Sequence, residues 1–391
     1  MLFFARFKRT RLAVGVASAT LGAALLTLGT APQAKVDLLE TPAIPSVNAK
    51  RSLLLDIERI GANKLVATGE FGQILTSTDQ GDTWTPGKVP VSVTLTSVMF
   101  ANEALGYAVG HDGVVLKTED GGANWVKLID GNTINQFILE TIQAKADDLQ
   151  ARLDELPSNA PADVREQLEV AAEEAMFQVD TAQGDVEVGP SKPLMDVVVT
   201  PTGTVIVAGA YGQLLKSTDQ GANWTYLGGR IQNPNNYHLN ALLITKTGEV
   251  WVAGEQGSVF VSSDEGESWT AKKIDYDGSI FGLLEAPSTR TIVAVGLRGH
   301  AFRLPFGEQQ WQEVSTNLRE TFSSGVVLED GSMLVVGSRG LVAKSNDDFQ
   351  TLQVVRRQDK LPSAAVVQLN QNQLLLAGMR GFKTMSLSEF K

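Results

Sequence analysis

The sequence predicts an all-β protein, a seven-bladed β-propeller with an α-helical hairpin between blades two and three. Three observations lead to this prediction: a repeat of about 42 residues, four short strand patterns within each repeat, and one acidic segment that interrupts the series. Short, regularly spaced strands separated by glycine turns are typical of propeller blades, and the repeats contain no helical period.

A Gly-x-x-Gly element marks every repeat. Consecutive elements are 41 to 45 residues apart, except for one interval of 99 residues. Their first glycines are Gly69, Gly110, Gly209, Gly254, Gly296, Gly337 and Gly378. Seven elements predict seven blades, and the long interval predicts an insertion. We therefore assign residues 35–130 to a closing strand and blades one and two, 131–189 to the insertion, and 190–391 to blades three to seven.

The seventh repeat ends before a sequence that would form its outer strand. Asp37–Pro45 precedes the first blade at the right offset to supply that strand. Pairing the two ends of the chain in this way would close the ring and remove two exposed sheet edges.

Residues 1–34 resemble a bacterial export signal. Met1–Arg11 carries four basic residues and no acidic one, and Leu12–Thr30 is uncharged and long enough to cross a membrane as a helix. The segment is either cleaved or kept as an anchor. In both cases the rest of the chain is expected in the periplasm or at the outer face of the inner membrane.

The composition excludes several kinds of site. Among 391 residues there is no cysteine, which rules out disulfides, thiolate metal sites and cysteine nucleophiles. The three histidines are widely separated, so a histidine metal cage is not expected. A net charge of −11 argues against nonspecific nucleic-acid binding. We expect neither a metal nor another cofactor.

A second motif, Ser/Thr-x-Asp-x-Gly-x-x-Trp, follows the third strand pattern of four repeats. Its aspartate and tryptophan are Asp79 and Trp84, Asp120 and Trp125, Asp219 and Trp224, and Asp264 and Trp269. The motif resembles the Asp-box of sialidase-type (BNR) repeats. Its aspartate can accept backbone N–H groups, its glycine permits a positive φ, and its tryptophan can pack between sheets, which predicts a structural role. Repeat five keeps only Trp311, and repeat six keeps Ser345-Asn-Asp347 and ends in Leu352.

Complete repeats of this form, with Gly106–Gly110 (Gly-Tyr-Ala-Val-Gly) and Lys117–Trp125, resemble the Ycf48/HCF136 family of photosystem II assembly factors. The resemblance covers about residues 37–391 apart from the insertion. It implies a noncatalytic, monomeric scaffold that assists a membrane complex. Bacterial relatives without photosynthesis, some encoded beside RND-type exporters, leave the client open between a photosystem-like complex and such a transporter.

The two residues between the glycines differ from turn to turn. The last three turns carry arginine before the second glycine, at Arg298, Arg339 and Arg380, whereas blades one and three carry Phe71 and Tyr211 there. Neighbouring blades present these turns side by side, which predicts an arc of arginines suited to carboxylates or phosphates. The family resemblance also implies client binding at an arginine patch, so we assign all five residues to partner binding. A solvated surface left by repeat duplication is the alternative.

A sialidase-like glycoside hydrolase or a carbohydrate-binding propeller is the alternative function. Sialidases also use three arginines on a propeller, but they have six blades and an Arg-Ile-Pro segment that is missing here. The acidic residues nearest to the arc would be Glu70, Asp112 and Glu255, and no pair of them is placed as glycoside hydrolysis requires. We therefore assign no catalytic residue.

The insertion is acidic and has a helical pattern. Apolar residues at helical spacing predict helices over Thr133–Leu156 and Pro161–Gln178. With 13 acidic and three basic residues, the segment has a net charge of −10. Propeller topology would place the insertion on the same face as the glycine turns, across the ring from the arginines. A partner-docking arm, a solvated decoration and a hairpin folded onto the arginines are the three alternatives.

Overall fold

The computed structural model describes residues 36–390, so the signal-like segment 1–34 lies outside the described residues. The described part contains 27 β-strands and two α-helices. Neither helix in this part is long and apolar enough to cross a membrane.

The strands form seven antiparallel sheets, and within each sheet the strands lie side by side in chain order. Sheets one and two contain β1 (Leu54–Ile60), β2 (Lys64–Gly69), β3 (Ile74–Ser77), β4 (Thr85–Pro86), and β5 (Leu95–Phe100), β6 (Gly106–Gly110), β7 (Val115–Thr118), β8 (Val126–Ile129). Sheets three and four contain β9 (Leu194–Val199), β10 (Val205–Gly209), β11 (Leu214–Ser217), β12 (Thr225–Tyr226), and β13 (Leu239–Ile244), β14 (Val250–Gly254), β15 (Val259–Ser262), β16 (Thr270–Ala271). Sheets five and six contain β17 (Ile280–Glu285), β18 (Ile292–Gly296), β19 (Ala301–Leu304), β20 (Gln312–Glu313), and β21 (Phe322–Val327), β22 (Met333–Gly337), β23 (Leu341–Ser345), β24 (Gln353–Arg356). Sheet seven contains β25 (Ser363–Asn370), β26 (Gln373–Gly378) and β27 (Lys383–Ser386).

The sheets follow one another in a closed ring. The first strand of each sheet contacts the first strand of the next sheet, and β25 of the last sheet contacts β1 of the first. Six sheets have four strands and the seventh has three. The predicted all-β class and the two helices are confirmed.

The hydrophobic core is divided into layers between neighbouring sheets. Each pair of neighbours encloses its own apolar cluster, seven in all around the ring. The second strand of a sheet faces such a cluster on both sides, which is why β10 reads Val-Ile-Val-Ala-Gly and is buried along its whole length. Valine and isoleucine fit this position because branched side chains pack well on a pleated surface.

The expected closing strand over Asp37–Pro45 does not form. Sheet seven ends at β27, and the Asp37–Pro45 segment instead lies against the connection between sheets one and two, where the N–H of Ala43 donates to the carbonyl of Val89 at 3.0 Å. Leu39 and Ala43 are buried in the apolar cluster of that connection, and this burial holds the segment away from the seventh sheet.

The last and first sheets are joined by other contacts. Phe382 stacks on Trp84 with ring centroids 4.1 Å apart, and its N–H donates to the carbonyl of Lys50 at 3.3 Å. Arg59 on β1 also donates to the carbonyl of Gln368 on β25 at 2.9 Å. The ring is therefore closed by core packing and hydrogen bonds in place of a shared outer strand.

The two helices lie between β8 and β9 along the chain. Helix α1 spans Gly131–Asp154. Its N-cap is Asp130, whose carboxylate accepts the N–H of Asn132 at 3.0 Å. Helix α2 spans Ala162–Val188, ten residues beyond the predicted end at Gln178. The prediction stopped early because the helix contains Gly184; the residue that ends it is Gly189, at φ 88°.

The four predicted Asp-boxes have the same hydrogen bonds. In the first, Asp79 accepts the Ser77 hydroxyl at 2.7 Å and the N–H of Thr83 at 2.9 Å. Equivalent bonds surround Asp120, Asp219 and Asp264. The hydrogen bond from the Thr83 side chain is the main reason why the pKa of Asp79 falls to about 2.

The box aromatics pack against the preceding sheet. Trp84 contacts sheet seven, and the tryptophans of sheets two to five follow the same rule, at Trp125, Trp224, Trp269 and Trp311. The indole N–H groups of Trp84, Trp125 and Trp224 donate to the carbonyl of the box glycine at 3.0 to 3.1 Å.

Sheet six keeps the aspartate hydrogen bonds of an Asp-box, although its sequence retains only Ser345-Asn-Asp347 of the motif. Asp347 accepts the Ser345 hydroxyl at 2.8 Å and the N–H of Thr351 at 2.9 Å, as in the other boxes. Phe349 occupies the glycine position with φ 65° and fills the aromatic site between sheets five and six. The motif was missed because a phenylalanine replaces its glycine. Leu352, at the position of the tryptophan, is only partly buried against this cluster.

Replacing Asp264 with alanine is expected to lower the free energy of unfolding by about 1 kcal/mol, because the N–H of Ser268 and the hydroxyl of Ser262 lose their acceptor at a solvent-screened turn. Urea unfolding followed by circular dichroism measures the loss. The control is alanine at the exposed Asp275, outside the box, for which no change is expected. Equal stability of the two variants would contradict a structural role of the box.

A carboxylate network at the centre of the ring was not predicted. Asp56 on β1 accepts the N–H of Val98 at 2.9 Å, and Asp196 on β9 accepts the N–H of Leu242 at 2.7 Å. The Ser97 hydroxyl lies 3.1 Å from Asp56 and 2.9 Å from Asp196. These bonds join the first strands of four consecutive sheets. Burial, and secondarily the nearby charge of Asp56, raise the pKa of Asp196 to about 7.

Candidate partner-binding surface on the glycine turns

The first glycine of each turn is required by a close backbone contact. A Cβ built on Gly254 would lie 1.9 Å from the carbonyl oxygen of His238, at the start of the first strand of the same sheet. The other six first glycines have the same contact at 2.0 to 2.5 Å. The turn therefore lies directly against the residue that precedes the first strand, and the turn occupies the same position in every sheet.

The residue before the second glycine has a left-handed backbone in all seven turns. Its φ lies between 54° and 66° at Phe71, Asp112, Tyr211, Gln256, Arg298, Arg339 and Arg380. A left-handed conformation costs an L-residue about 1–2 kcal/mol relative to its usual conformations. This strain was not predictable from the residue types, because none of the seven residues is glycine or asparagine. Five of the seven, all except Asp112 and Gln256, are exposed, so in most turns the strained residue presents its side chain to solvent.

The structure places Arg298, Arg339 and Arg380 on three consecutive sheets. All three are exposed, and none of their guanidinium groups has an ion pair or hydrogen bond with another residue of 36–390. The turn with Phe71 follows on the adjoining first sheet. Tyr211, on sheet three, is separated from the arginines and packs edge-on against His238, with ring centroids 4.9 Å apart. Of the five predicted residues, the three arginines and Phe71 therefore lie on adjoining sheets, and Tyr211 lies apart from them.

Further basic residues surround these turns on the connections between sheets. The connections lie beside the turns, since a Cβ on Gly381 would meet the carbonyl of Lys50 at 1.9 Å, and one on Gly340 would meet Lys360 at 3.1 Å. The exposed bases on these connections are Lys50, Arg51, Arg319 and Lys360. We call them, together with Arg298, Arg339 and Arg380, the arginine face. Repeat alignment missed the four connection residues because they occupy irregular positions.

Two carboxylates near the arginine face are already paired. Glu320 accepts Nε of Arg356 at 3.1 Å, and this hydrogen bond is the main cause that lowers the pKa of Glu320 to about 2. Asp359 is bound by Arg357 at 2.5 Å; burial alone would raise its pKa, but this hydrogen bond helps to hold the pKa below its usual value. Both neighbouring carboxylates therefore pair with arginines that do not belong to the arginine face, and not with the arginines of the face itself.

The glutamates of two turns accept backbone N–H groups within their own sheets. Glu70 accepts the N–H of Leu53 at 3.0 Å, and Glu255 accepts the N–H of His238 at 3.0 Å in the equivalent position. They lie on sheets one and four, so they are not a neighbouring carboxylate pair. No group of metal-ligating side chains occurs within residues 36–390.

The helical hairpin is anchored near Tyr211, away from the arginines. Ile134 and Ile138 are buried in the cluster between sheets two and three, and Lys192, which pairs with Asp185 of α2, lies 5.4 Å from the ring of Tyr211. Among residues 36–390, no acidic residue of the hairpin forms an ion pair with the arginine face. Of the three alternatives, a hairpin folded onto the arginines is therefore excluded.

These features define a β-propeller with a basic, exposed face formed by strained turns. Comparison with solved structures supports this class: YCF48 bound to D1 peptide matches with a TM-score of 0.58 and 16% identity over 88% of this chain and 98% of the other. YCF48 from Cyanidioschyzon merolae matches with a TM-score of 0.57 and 14% identity over 87% and 96%. The WD40 β-propeller domain of Doa1 matches with a TM-score of 0.57 and 9% identity over 89% and 96%.

The resemblance in fold to YCF48 agrees with the family resemblance read from the repeats. No family model matches the sequence, and no curated protein matches it either.

Proposed function

We propose that the protein is a noncatalytic, exported, seven-bladed β-propeller, with the hairpin between blades two and three, whose arginine face binds an acidic segment of a membrane or envelope protein. Binding would assist the assembly or stability of the client's complex. The client would be a photosystem-like complex or an RND-type transporter.

One observation carries the proposal: three consecutive turns hold unpaired, exposed arginines in a left-handed conformation. A glycine would remove the backbone strain at each position, yet long cationic side chains stand there. Guanidinium groups recognise carboxylates with two parallel hydrogen bonds, so an arc of three suits several acids of an extended segment. The exposed ring of Phe71 adjoins the arc and offers an apolar contact beside it.

Two further points support the proposal. A neighbour in fold, YCF48, has been solved with a D1 peptide bound, which is an example of peptide binding by this architecture. The basic and then uncharged residues 1–34 support export to the periplasm or the outer face of the inner membrane.

The test is affinity purification of the tagged full chain from gently solubilised membranes, read by mass spectrometry. The wild type should recover a stoichiometric membrane partner. The triple variant Arg298→Glu, Arg339→Glu, Arg380→Glu should lose this partner. The three glutamates would repel the partner's carboxylates that the arginines bind in the wild type. Since these side chains are exposed and unpaired, the melting temperature should stay unchanged.

A matched control makes the same charge change elsewhere. Lys88, Lys246 and Lys273 are exposed bases outside the seven turns and outside the helical hairpin, and their triple replacement with glutamate should leave recovery of the partner unchanged. Full recovery with the arginine variant, or equal loss with the control, would refute binding through the arginine face.

A further inference from the structure

Helix α2 has a second apolar side that packs against nothing within residues 36–390. Its buried side, with Ala172, Ala175 and Val179, packs against α1. On the opposite side Val170, Phe177 and Val188 are exposed by 49%, 72% and 75%. Val170 and Phe177 are seven residues apart and Val188 lies three turns further on, so they form one stripe along the helix. We call this stripe the outer face of α2.

The outer face is surrounded by carboxylates without counterions. Seven acidic residues of α2 are exposed and form no ion pair within residues 36–390: Asp163, Glu166, Glu169, Glu173, Glu174, Asp180 and Glu187. Glu169 and Glu173 lie one turn apart, where like charges destabilise a helix. The only base of the helix, Arg165, donates to the carbonyl of Pro157. The local charge is therefore strongly negative and uncompensated.

Apolar and acidic groups meet in one shallow groove on this side. Its residues are Asp163, Glu166, Gln167, Val170, Ala171 and Glu174. The apolar floor at Val170 and Ala171 thus lies between carboxylates one turn before it and one turn after it. A ligand that fills the groove has to bring both apolar surface and positive charge.

We infer that the outer face of α2 binds a basic amphipathic helix of a partner protein. Leucine-like side chains of such a helix would cover Val170 and Phe177, and its lysines or arginines would meet the flanking carboxylates. Charge decides against an anionic lipid surface, which these carboxylates would repel. The inference concerns a site separate from the arginine face, and it does not depend on what that face binds.

The test uses the full chain and a synthetic, labelled peptide of roughly 20 residues built from leucine and lysine, with the leucines on one helical side. A peptide of the same composition in scrambled order reports charge attraction alone. Fluorescence anisotropy should show that the amphipathic peptide binds about tenfold more tightly than the scrambled one. Circular dichroism should show that it gains helix on binding.

Substitutions locate the contact. The double variant Val170→Ser, Phe177→Ser should abolish the difference between the two peptides. The comparably exposed Val126→Ser, Phe306→Ser, on β8 and in the turn after β19, should preserve it. The variant Glu166→Gln, Glu173→Gln, Glu174→Gln should weaken both peptides and reduce the salt dependence of binding.

Several outcomes would overturn the inference. They are equal affinity for the two peptides, no binding, or an unchanged difference in the serine variant of α2. Self-association that this serine variant abolishes, seen by sedimentation, would assign the outer face to a second copy of the chain instead. The triple arginine variant should bind the peptide like the wild type, so failure of the proposed function and failure of this inference are distinguishable.

Discussion

Replacing Trp125 with alanine is expected to lower the free energy of unfolding by about 3–5 kcal/mol. Its indole is 4% exposed between the first two sheets and meets the ring of Phe100 edge-on, with centroids 6.1 Å apart. The backbone around it cannot collapse easily, because the N–H of Trp125 donates to the carbonyl of Lys88 at 2.9 Å. The variant would therefore leave a cavity in the layer that joins two sheets.

Urea unfolding followed by circular dichroism measures this loss, with Trp125→Phe as the matched control. Phenylalanine keeps an aromatic ring in the layer but removes the hydrogen bond from the indole to the carbonyl of Gly122, which is 3.1 Å long. A loss of about 1 kcal/mol is expected for it. If alanine cost no more than phenylalanine, the packing between sheets one and two would not depend on the indole.

The sheet organisation was predictable because each repeat carries its own local signals. The first glycine of a turn is dictated by a backbone contact within one sheet, and the tryptophan that follows fills a gap beside the preceding sheet. Both requirements recur at a fixed offset, so they are visible in the sequence as a period. Strand positions follow from the apolar runs between these two marks.

Features that depend on contacts across repeats were not predictable. Asp37–Pro45 had the right offset for an outer strand, but burial of Leu39 and Ala43 places it elsewhere. Phe349 hides the Asp-box of sheet six in the sequence, since its left-handed backbone is stabilised by a hydrogen bond to Ser345 and by packing that no local rule describes. Asp56 and Asp196 belong to strands far apart in the sequence, and the packing of the first three sheets side by side brings them to the same serine.

The candidate site was predictable in part for the same reason. Arg298, Arg339 and Arg380 share one repeat position, so alignment of the turns found them, whereas Arg319 and Lys360 lie on connections of unequal sequence. The alignment also grouped Tyr211 with the arginines. The structure separates it, because position in a repeat fixes the face of the ring but leaves open the distance around it.

Asp196→Asn is expected to make the protein more stable than the wild type near pH 8 and about equally stable near pH 4. Burial holds the pKa of Asp196 at about 7, above the ordinary value of 3.8, so the folded state retains a proton that the unfolded state has lost. Stability from this group is fully present below about pH 4 and is lost as the pH rises to about 7. Between pH 5 and pH 8 the wild type should lose about 2–3 kcal/mol through this group.

Asparagine should keep the bonds between the sheets, because its side-chain oxygen can accept and its NH₂ group can donate. Only the N–H of Val197, which Asp196 accepts at 2.8 Å within the same strand, loses its acceptor. Its oxygen can accept the N–H of Leu242, and its amide can donate to the Ser97 hydroxyl, whose own proton then goes to Asp56. The bonds that join the sheets would persist without a group that titrates. Melting curves at several pH values, measured for the wild type and the variant, test this expectation.

The control for the pH profile is Asp219→Asn in an Asp-box. Hydrogen bonding, first from the Asn223 side chain, lowers the pKa of Asp219 to about 2, so the stability it contributes is present above pH 4 and is lost only as the pH falls toward 2. This variant should therefore keep the wild-type slope between pH 5 and pH 8. If Asp196→Asn also kept that slope, or melted below the wild type at pH 8, the central carboxylate would be ionised in the folded protein and bonded differently from the geometry described.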